Sequence, residues 1–471
     1  MIDGLKPYAD YADSGQDWLG SPPAHWSVLR AKRLFREVDE RSVTGKEELL
    51  SVSHLTGVAP RRLKTVTMFL AESNIGHKVC RPSDLVVNTL WAWMGALGVT
   101  QHTGIVSPAY GVYRPIAGGG ILPAFANYLL RTPLYAAEYQ RRSTGVNSSR
   151  LRLYPEQFLR MPVPLPPSAE QAAIVRFLDW ANGRLERTIR AKRRVIALLT
   201  EQKQALIHRA VTQGLDGGGP RKASGIPWLG DCAEHWQIQR VGRLIQLLTG
   251  FPFSSSGFTR EKNGMRLLRG INVTPHGVRW NATERWQREP GDGLDAYELA
   301  VGDIVLGMDR PVVGSGVRAA VVGDKDLPSV LVQRVARMRP LSLLDARFLA
   351  LLMSSRIFGD YIEPIFTGIS VPHLSPRQIK EFIVALPPMV EQVEIVRFVD
   401  DATQGLGIAI TRLEAEILLL REYRTRLVAD VVTGKLDVRD AVLHLPEDAA
   451  AILAEEVDED DPELDPEEAI S

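Results

Sequence analysis

The chain carries the same framing words twice, in the same order, and this duplication limits what it can fold into. Trp18-Leu19-Gly20 leads to His25-Trp26 near the start, and Trp228-Leu229-Gly230 leads to His235-Trp236 in the middle. Leu165-Pro166-Pro167 opens an apolar-periodic stretch through Glu170-Gln171 and Ile174-Val175-Arg176-Phe177. Leu386-Pro387-Pro388 opens another through Glu391-Gln392 and Ile395-Val396-Arg397-Phe398. The two stretches also close alike, with Val211-Thr212 before Leu215-Asp216 and Val432-Thr433 before Leu436-Asp437. A duplicated module implies two copies of one binding element related by approximate two-fold symmetry.

Each repeat divides into a mixed α/β part and a helical part. Strand-like Leu85-Val86-Val87 and Gly111-Val112-Tyr113 are punctuated by Gly and Pro, and a helix is expected around Phe125 to Arg142. Ser168 to Gln213 reads as one long helix, with Pro167 at its start and Glu170 in the first turn, where the helix dipole favours negative charge. Leu178, Leu185, Leu199 and Leu206 recur near heptad spacing on this helix. The second, from Val390 to about Val432, carries Phe398, Leu406, Leu413, Leu420 and Leu427 in the same role, and Gly405 and Gly407 are expected to weaken it locally. Each helix makes a rod of roughly 65 Å. One rod alone would expose its apolar stripe, so two of matching length are expected to pack as an antiparallel pair.

The expected fold class is therefore α+β: two pseudo-symmetric α/β domains separated by two long antiparallel helices packed as a coiled coil. The expected bounds are 1–166 and 217–388 for the α/β domains, 167–216 and 389–437 for the helices, and 438–471 for an acidic tail expected to be disordered. The α/β parts align weakly, Phe125 to Val146 on Phe348 to Ile369, and their centres barely match. Frames that persist while interiors diverge suggest one scaffold carrying two different readers, which suits a two-sided partner such as duplex DNA.

Charge supports a polyanionic partner. The chain has 56 basic and 56 acidic side chains, but 12 of the acidic ones lie beyond Leu445, which leaves 56 basic against 44 acidic in the body. Cys80 and Cys232 are too few for a disulfide framework or a cysteine zinc site, and neither a secretory signal nor a membrane-length apolar run is present, so a cytoplasmic protein is expected.

Catalytic signatures are missing. There is no P-loop, no Asn-Pro-Pro-Tyr or Asp-Pro-Pro-Tyr, no His-Glu-x-x-His and no Gly-x-Ser-x-Gly. The nine histidines show no metal-ligand spacing, so no metal site is expected. His25 and His235 read as scaffold-packing residues in apolar surroundings without carboxylate partners. Glu201-Gln202-Lys203 reads as an ion-paired helix surface rather than a nuclease fragment.

Phosphates need Arg, Lys and backbone donors, while bases need bidentate groups such as Arg, Asn and Gln. In the first module the candidates are Arg61, Arg62 and Lys64, and the run from Arg141 to Arg150, chiefly Arg141, Arg142, Asn147, Ser148 and Arg150. In the second they are Lys262, Arg266, Arg269, Asn272, Arg279, Arg310 and Gln333, with Thr367, Ser370 and His373 in the segment that aligns with the Arg141 run.

The doubled openings and the doubled Leu-Pro-Pro exits, in this order, resemble the type I restriction-modification specificity subunit from about Trp18 to Asp437. The departures are Asp231-Cys232-Ala233-Glu234, where a Pro is usual before the Glu, and the acidic extension. The resemblance implies a non-catalytic chain with two target-recognition domains, each reading one half of a split DNA site, and two spacer helices. It implies two methyltransferase subunits and restriction (motor-nuclease) subunits as partners in defence against foreign DNA. S-adenosylmethionine, ATP and Mg2+ would belong to those partners, with no cofactor bound by this chain. Two readings from other classes stay open: a nuclease with a degenerate metal site around Asp303 and Asp324-Lys325-Asp326, and a scaffold that never touches DNA.

Overall fold

The computed structural model describes residues 5–63, 73–145, 151–215, 219–259, 261, 263–281, 283–313, 316–366 and 372–446. It divides into two compact units: Met1–Lys192 with Ala415–Asp460, and Arg193–Glu414 with Asp461–Ser471. Both unit boundaries fall inside long helices, so each unit holds one α/β domain and half of each helix.

In the first unit, β1 (Ser27–Arg30) leads into β2 (Phe35–Glu37), β3 (Leu85–Val87), β4 (Leu97–Val99) and β5 (Gly111–Pro115). The last four form an antiparallel sheet in the order β2-β5-β3-β4, with Phe35 opposite Pro115 and Leu85 opposite Tyr113. The expected helix from Phe125 to Arg142 is two helices, α1 (Pro123–Leu130) and α2 (Pro133–Arg142). Pro133 is the cause, because its ring and missing N–H cannot continue the preceding helix and hold Thr132 extended. α3 (Pro155–Leu159) then precedes β6 (Pro162–Leu165), which pairs antiparallel with β1, so the domain starts and finishes on one ladder.

α4 (Ser168–Gln213) follows as one unbroken helix of 46 residues, with the bounds expected from the sequence. Gly214 at φ 75° supplies the left-handed residue that closes it.

The second unit repeats this plan. β7 (Gln237–Arg240) is followed by β8 (Ile245–Thr249), β9 (Ile304–Gly307), β10 (Ala319–Val321) and β11 (Val335–Pro340). These four give the sheet β8-β11-β9-β10, with Ile245 opposite Pro340 and Ile304 opposite Met338. Then come α5 (Ala346–Ser354), α6 (Arg356–Ile362), α7 (Pro376–Glu381) and β12 (Ile383–Leu386), which pairs with β7. α8 (Met389–Val432) runs 44 residues and passes through Gly405 and Gly407 without a break. An added Cβ would meet nothing within 4 Å at either glycine.

The long helices run antiparallel within each unit. In the first, Glu186 binds Arg424 at 2.9 Å and Lys192 binds Glu416, so the numbers rise along one helix as they fall along the other. In the second, Ile207, Ala210 and Val211 share a core with Ile395, Val396 and Val399. The first unit's main core joins Trp26, Phe35, Leu85, Val87, Phe125 and Phe158 to Phe177 and Leu178 of α4 and Val431 of α8. Each such side chain contributes about 2–3 kcal/mol by leaving water.

Both cysteines are free and buried. Burial pushes the Cys80 thiol up to about 12, and it raises Cys232 as well. Neither is expected to react with an alkylating reagent at neutral pH until the fold is opened by denaturant, as a timed thiol titration would read.

Candidate nucleic-acid interface

The duplicated words assemble into two clasps between domain and helix. Glu170, in the first turn of α4, accepts from Tyr8 Oη at 2.6 Å and Trp26 Nε1 at 3.0 Å, and His25 Nε2 lies 2.8 Å from its other oxygen. Glu391 of α8 repeats the arrangement with Trp236 Nε1 at 3.0 Å and His235 Nε2 at 2.8 Å. This corrects the expectation that the two histidines lack carboxylate partners. The partner lies 145 residues away in the first unit and arrives only through the fold. Burial, and then the hydrogen bond to Glu170, raises the Tyr8 phenol well above its ordinary range.

The next residue completes each clasp. Gln171 is fully buried, accepts from Leu122 N at 2.8 Å and donates to the Gly120 and Pro166 carbonyls at 2.8 Å each. Gln392 does the same with Asp345 N, Leu343 O and Pro387 O. The clasps therefore fix how each domain is carried by its helices.

What the domains display differs. In both units the chain beyond the second helix of the α1–α2 or α5–α6 pair returns beside the end of a central strand. Leu153 N donates to Thr89 O at 2.9 Å just past β3, and Leu374 N donates to Met308 O at 2.8 Å just past β9. In the first unit this rim borders a cleft of about 420 Å³ lined by Asp39, Lys78, Thr89, Tyr110 and Arg152, among others. Burial raises the Tyr110 phenol, and the charge of Arg61 opposes that shift. Trp91 is 47% exposed just beyond Thr89, with its ring stacked on Trp93 at 6.2 Å. In the second unit the corresponding rim holds Asp309, Arg334 and His373, with His373 Nδ1 2.7 Å from Asp309 Oδ1.

The sequence candidates divide by environment. Arg61 and Arg62 lie on a short 3-10 turn, and Arg62 binds Glu48 at 2.9 Å. Arg141 and Arg142 both bind the buried Glu138, which leaves Arg141 largely exposed and Arg142 mostly covered. Arg266 lies over the Trp280 ring at 4.4 Å and donates to the Lys325 and Leu327 carbonyls. Asn272 is buried, bridging Arg269 N and Arg279 O, and Arg269 is half-buried beside it. Arg279 and Gln333 are exposed, and Arg310 sits on the second rim. Lys64, Asn147, Ser148, Arg150, Lys262, Thr367 and Ser370 lie outside the described residues.

Of the helix-packing candidates, Leu178, Leu185 and Leu427 are buried, and Leu199, Leu206, Leu406, Leu413 and Leu420 are half-buried. Phe398 is 46% exposed. Sequence reasoning missed Trp91, Arg152 and Arg334. The Trp-Ala-Trp spacing beside Gly95 was the available signal for the first.

Two of the carboxylates of the nuclease reading, Asp303 and Asp326, are occupied. Asp303 binds Arg339 at 2.5 and 2.9 Å, while Asp326 accepts from Gly323 N and Trp280 Nε1. Among the described residues no three His, Cys, Asp or Glu side chains gather as a metal site, and no helix is long and apolar enough to cross a membrane.

No family model matches the chain. It is similar to the type I restriction enzyme EcoAI specificity subunit of Escherichia coli, 32% identical over 176 residues, which span 37% of this chain and 29% of that protein. It is also similar to the type I restriction enzyme MjaVIII specificity subunit of Methanocaldococcus jannaschii, 27% identical over 309 residues, or 64% of this chain and 67% of the relative. Among solved structures, a chain from a study of type I R-M complex assembly and conformational transition matches with a TM-score of 0.54 and 17% identity. That match covers 88% of this chain and 99% of the other, and it supports the fold.

Proposed function

We propose that this chain, similar as it is to type I restriction enzyme specificity subunits, is the non-catalytic DNA-specificity subunit of such a complex. Its two target-recognition domains, residues 1–166 and 217–388, would each read one half of a split duplex site. Its long helices, within 167–216 and 389–437, would space the readers and hold the methyltransferase and restriction subunits. S-adenosylmethionine, ATP and Mg2+ would be bound by those partners in the cytoplasm. The observation that carries this reading is one sheet order built twice in one register, held by matching Trp-His-Glu-Gln clasps, with unlike residues on the two rims. A constant mount with variable rims suits two different short sequences presented on one duplex.

The test is methylome sequencing of cells expressing the chain with and without its methyltransferase partner. A split motif methylated in both halves only when both proteins are present is the expected result. An active partner that marks no new motif would defeat the reading. If the helices act as the spacer, two heptads added to each, about 21 Å of helix, should lengthen the unread gap and leave both half-sites as they were. Altered half-sites in that experiment would exclude the spacer role.

A further inference from the structure

The two sheets share a register, so positions on the two rims can be equated residue by residue. Leu85 of β3 faces Tyr113, and Ile304 of β9 faces Met338, while the outer partners Phe35–Pro115 and Ile245–Pro340 also coincide. Counting outward from Leu85 and Ile304 equates Thr89 with Met308. These are the two residues that accept the returning Leu153 and Leu374 amides, which confirms the match. Two residues further on, Trp91 in the first unit corresponds to Arg310 in the second.

Both are unusual where they stand. Trp91 presents a large aromatic surface beside an exposed Leu90, next to a cleft lined by half-buried Arg152 and by Lys78, which is buried and paired with Glu37 and Asp39. An exposed apolar patch beside such a polar cleft fits a ligand with polar edges and apolar faces. Arg310 is one of three non-glycine residues with positive φ among the described residues, at 44°. That backbone conformation is unfavourable for a side chain of this size and persists where the surroundings impose it. It is anchored by its own amide, which donates to Pro372 O at 2.7 Å.

We propose that this equivalent rim position determines specificity in both half-sites: Trp91 makes an apolar contact with a thymine methyl group in one, and Arg310 donates to a guanine edge in the other. The major groove offers both features, the methyl of thymine to an apolar surface and O6 with N7 of guanine to a guanidinium fork. The same count past the shared strand thus carries two chemistries, with the backbone at φ −124° for Trp91 and at φ 44° for Arg310, and gives one scaffold two readings. The proposal rests on the DNA-specificity reading above.

The experiment uses the full chain with its methyltransferase partner and duplex pools randomised in one half-site at a time. In W91A the preference at one thymine-containing pair of one half-site should flatten, and the other half-site should stay unchanged. W91F should keep most of that preference. Uracil in place of the preferred thymine, which removes only the methyl, should weaken wild-type binding about threefold or more and W91A not at all. R310A should lose about tenfold or more of the preference for one G–C pair in the other half-site, and R310K should not restore it, because a lysine cannot make the paired contact. Unchanged preferences in both variants, or equal weakening on every sequence while the wild type still selects, would overturn the proposal. A wild-type complex that selects no sequence would instead overturn the specificity reading beneath it.

Discussion

Exchange of the segment between Trp26 and Val163 for its counterpart from one of the similar type I specificity subunits is expected, on the proposed function, to replace one half of the methylated motif completely. The other half should stay as it was. The structural ground is the β1–β6 ladder, in which Ser27 lies opposite Leu165 and Arg30 opposite Pro162. The two junctions of such a graft lie on one strand pair, offset by three residues and so roughly 11 Å apart. The clasp side chains Trp26, Glu170 and Gln171 stay outside the grafted part, and the graft must offer Gln171 a backbone N–H and a carbonyl where Leu122 and Gly120 stood. The graft must still supply residues like Phe35, Leu85 and Phe158 to the shared core. Methylome sequencing of the chimaera reads the outcome, and a motif altered in both halves would exclude two independent readers.

Replacing Gln171 with leucine should have the largest effect on stability. The side chain has no exposure and satisfies one backbone N–H and two carbonyls from two separate segments, Gly120 with Leu122 and Pro166. Leucine has similar bulk and can replace none of these bonds. Each buried polar group left unpaired costs about 1–3 kcal/mol, so the loss should reach about 3 kcal/mol or more. That is a large fraction of the usual stability of a domain. Gln392→Leu should act alike on the second unit, and urea unfolding followed by circular dichroism would report both. A change below about 1 kcal/mol at Gln171 would show that water replaces the lost partners and that the clasp is not a determinant of the fold.

The frame of this molecule was legible because it rests on local signals. Pro167 marks the start of α4, and Val211-Thr212 with Gly214 marks its end, so the sequence bounds and the observed bounds coincide. The pairing of Phe125 to Val146 with Phe348 to Ile369 correctly matched α1–α2 to α5–α6, although the break at Pro133 was overlooked. Contacts closed by the fold were not legible. The apolar words around His25 gave no hint of Glu170, and Asn272 looked like a base-reading amide until its partners at Arg269 and Arg279 were known. Strands of three or four residues with short registers carry too little pattern to reveal that two dissimilar interiors share one sheet order.

That sheet has two sides with different neighbours. Side chains alternate across a strand, so Leu85 and Val87 enter the core shared with the long helices, while Val86 enters a separate cluster with Leu50, Val52, Cys80, Val106 and Val112. Ile304 and Leu306 likewise face one way, and Val305 faces a cluster of its own with Leu268, Val335 and others. The sheet thus works as a bulkhead. Mutations that drift or even rebuild the outer compartment disturb few contacts on the inner side, where the helix-bearing core is kept. A lineage under pressure to change what it recognises can therefore explore new outer surfaces in many small steps without first becoming unstable, and this gives the architecture its capacity to diversify.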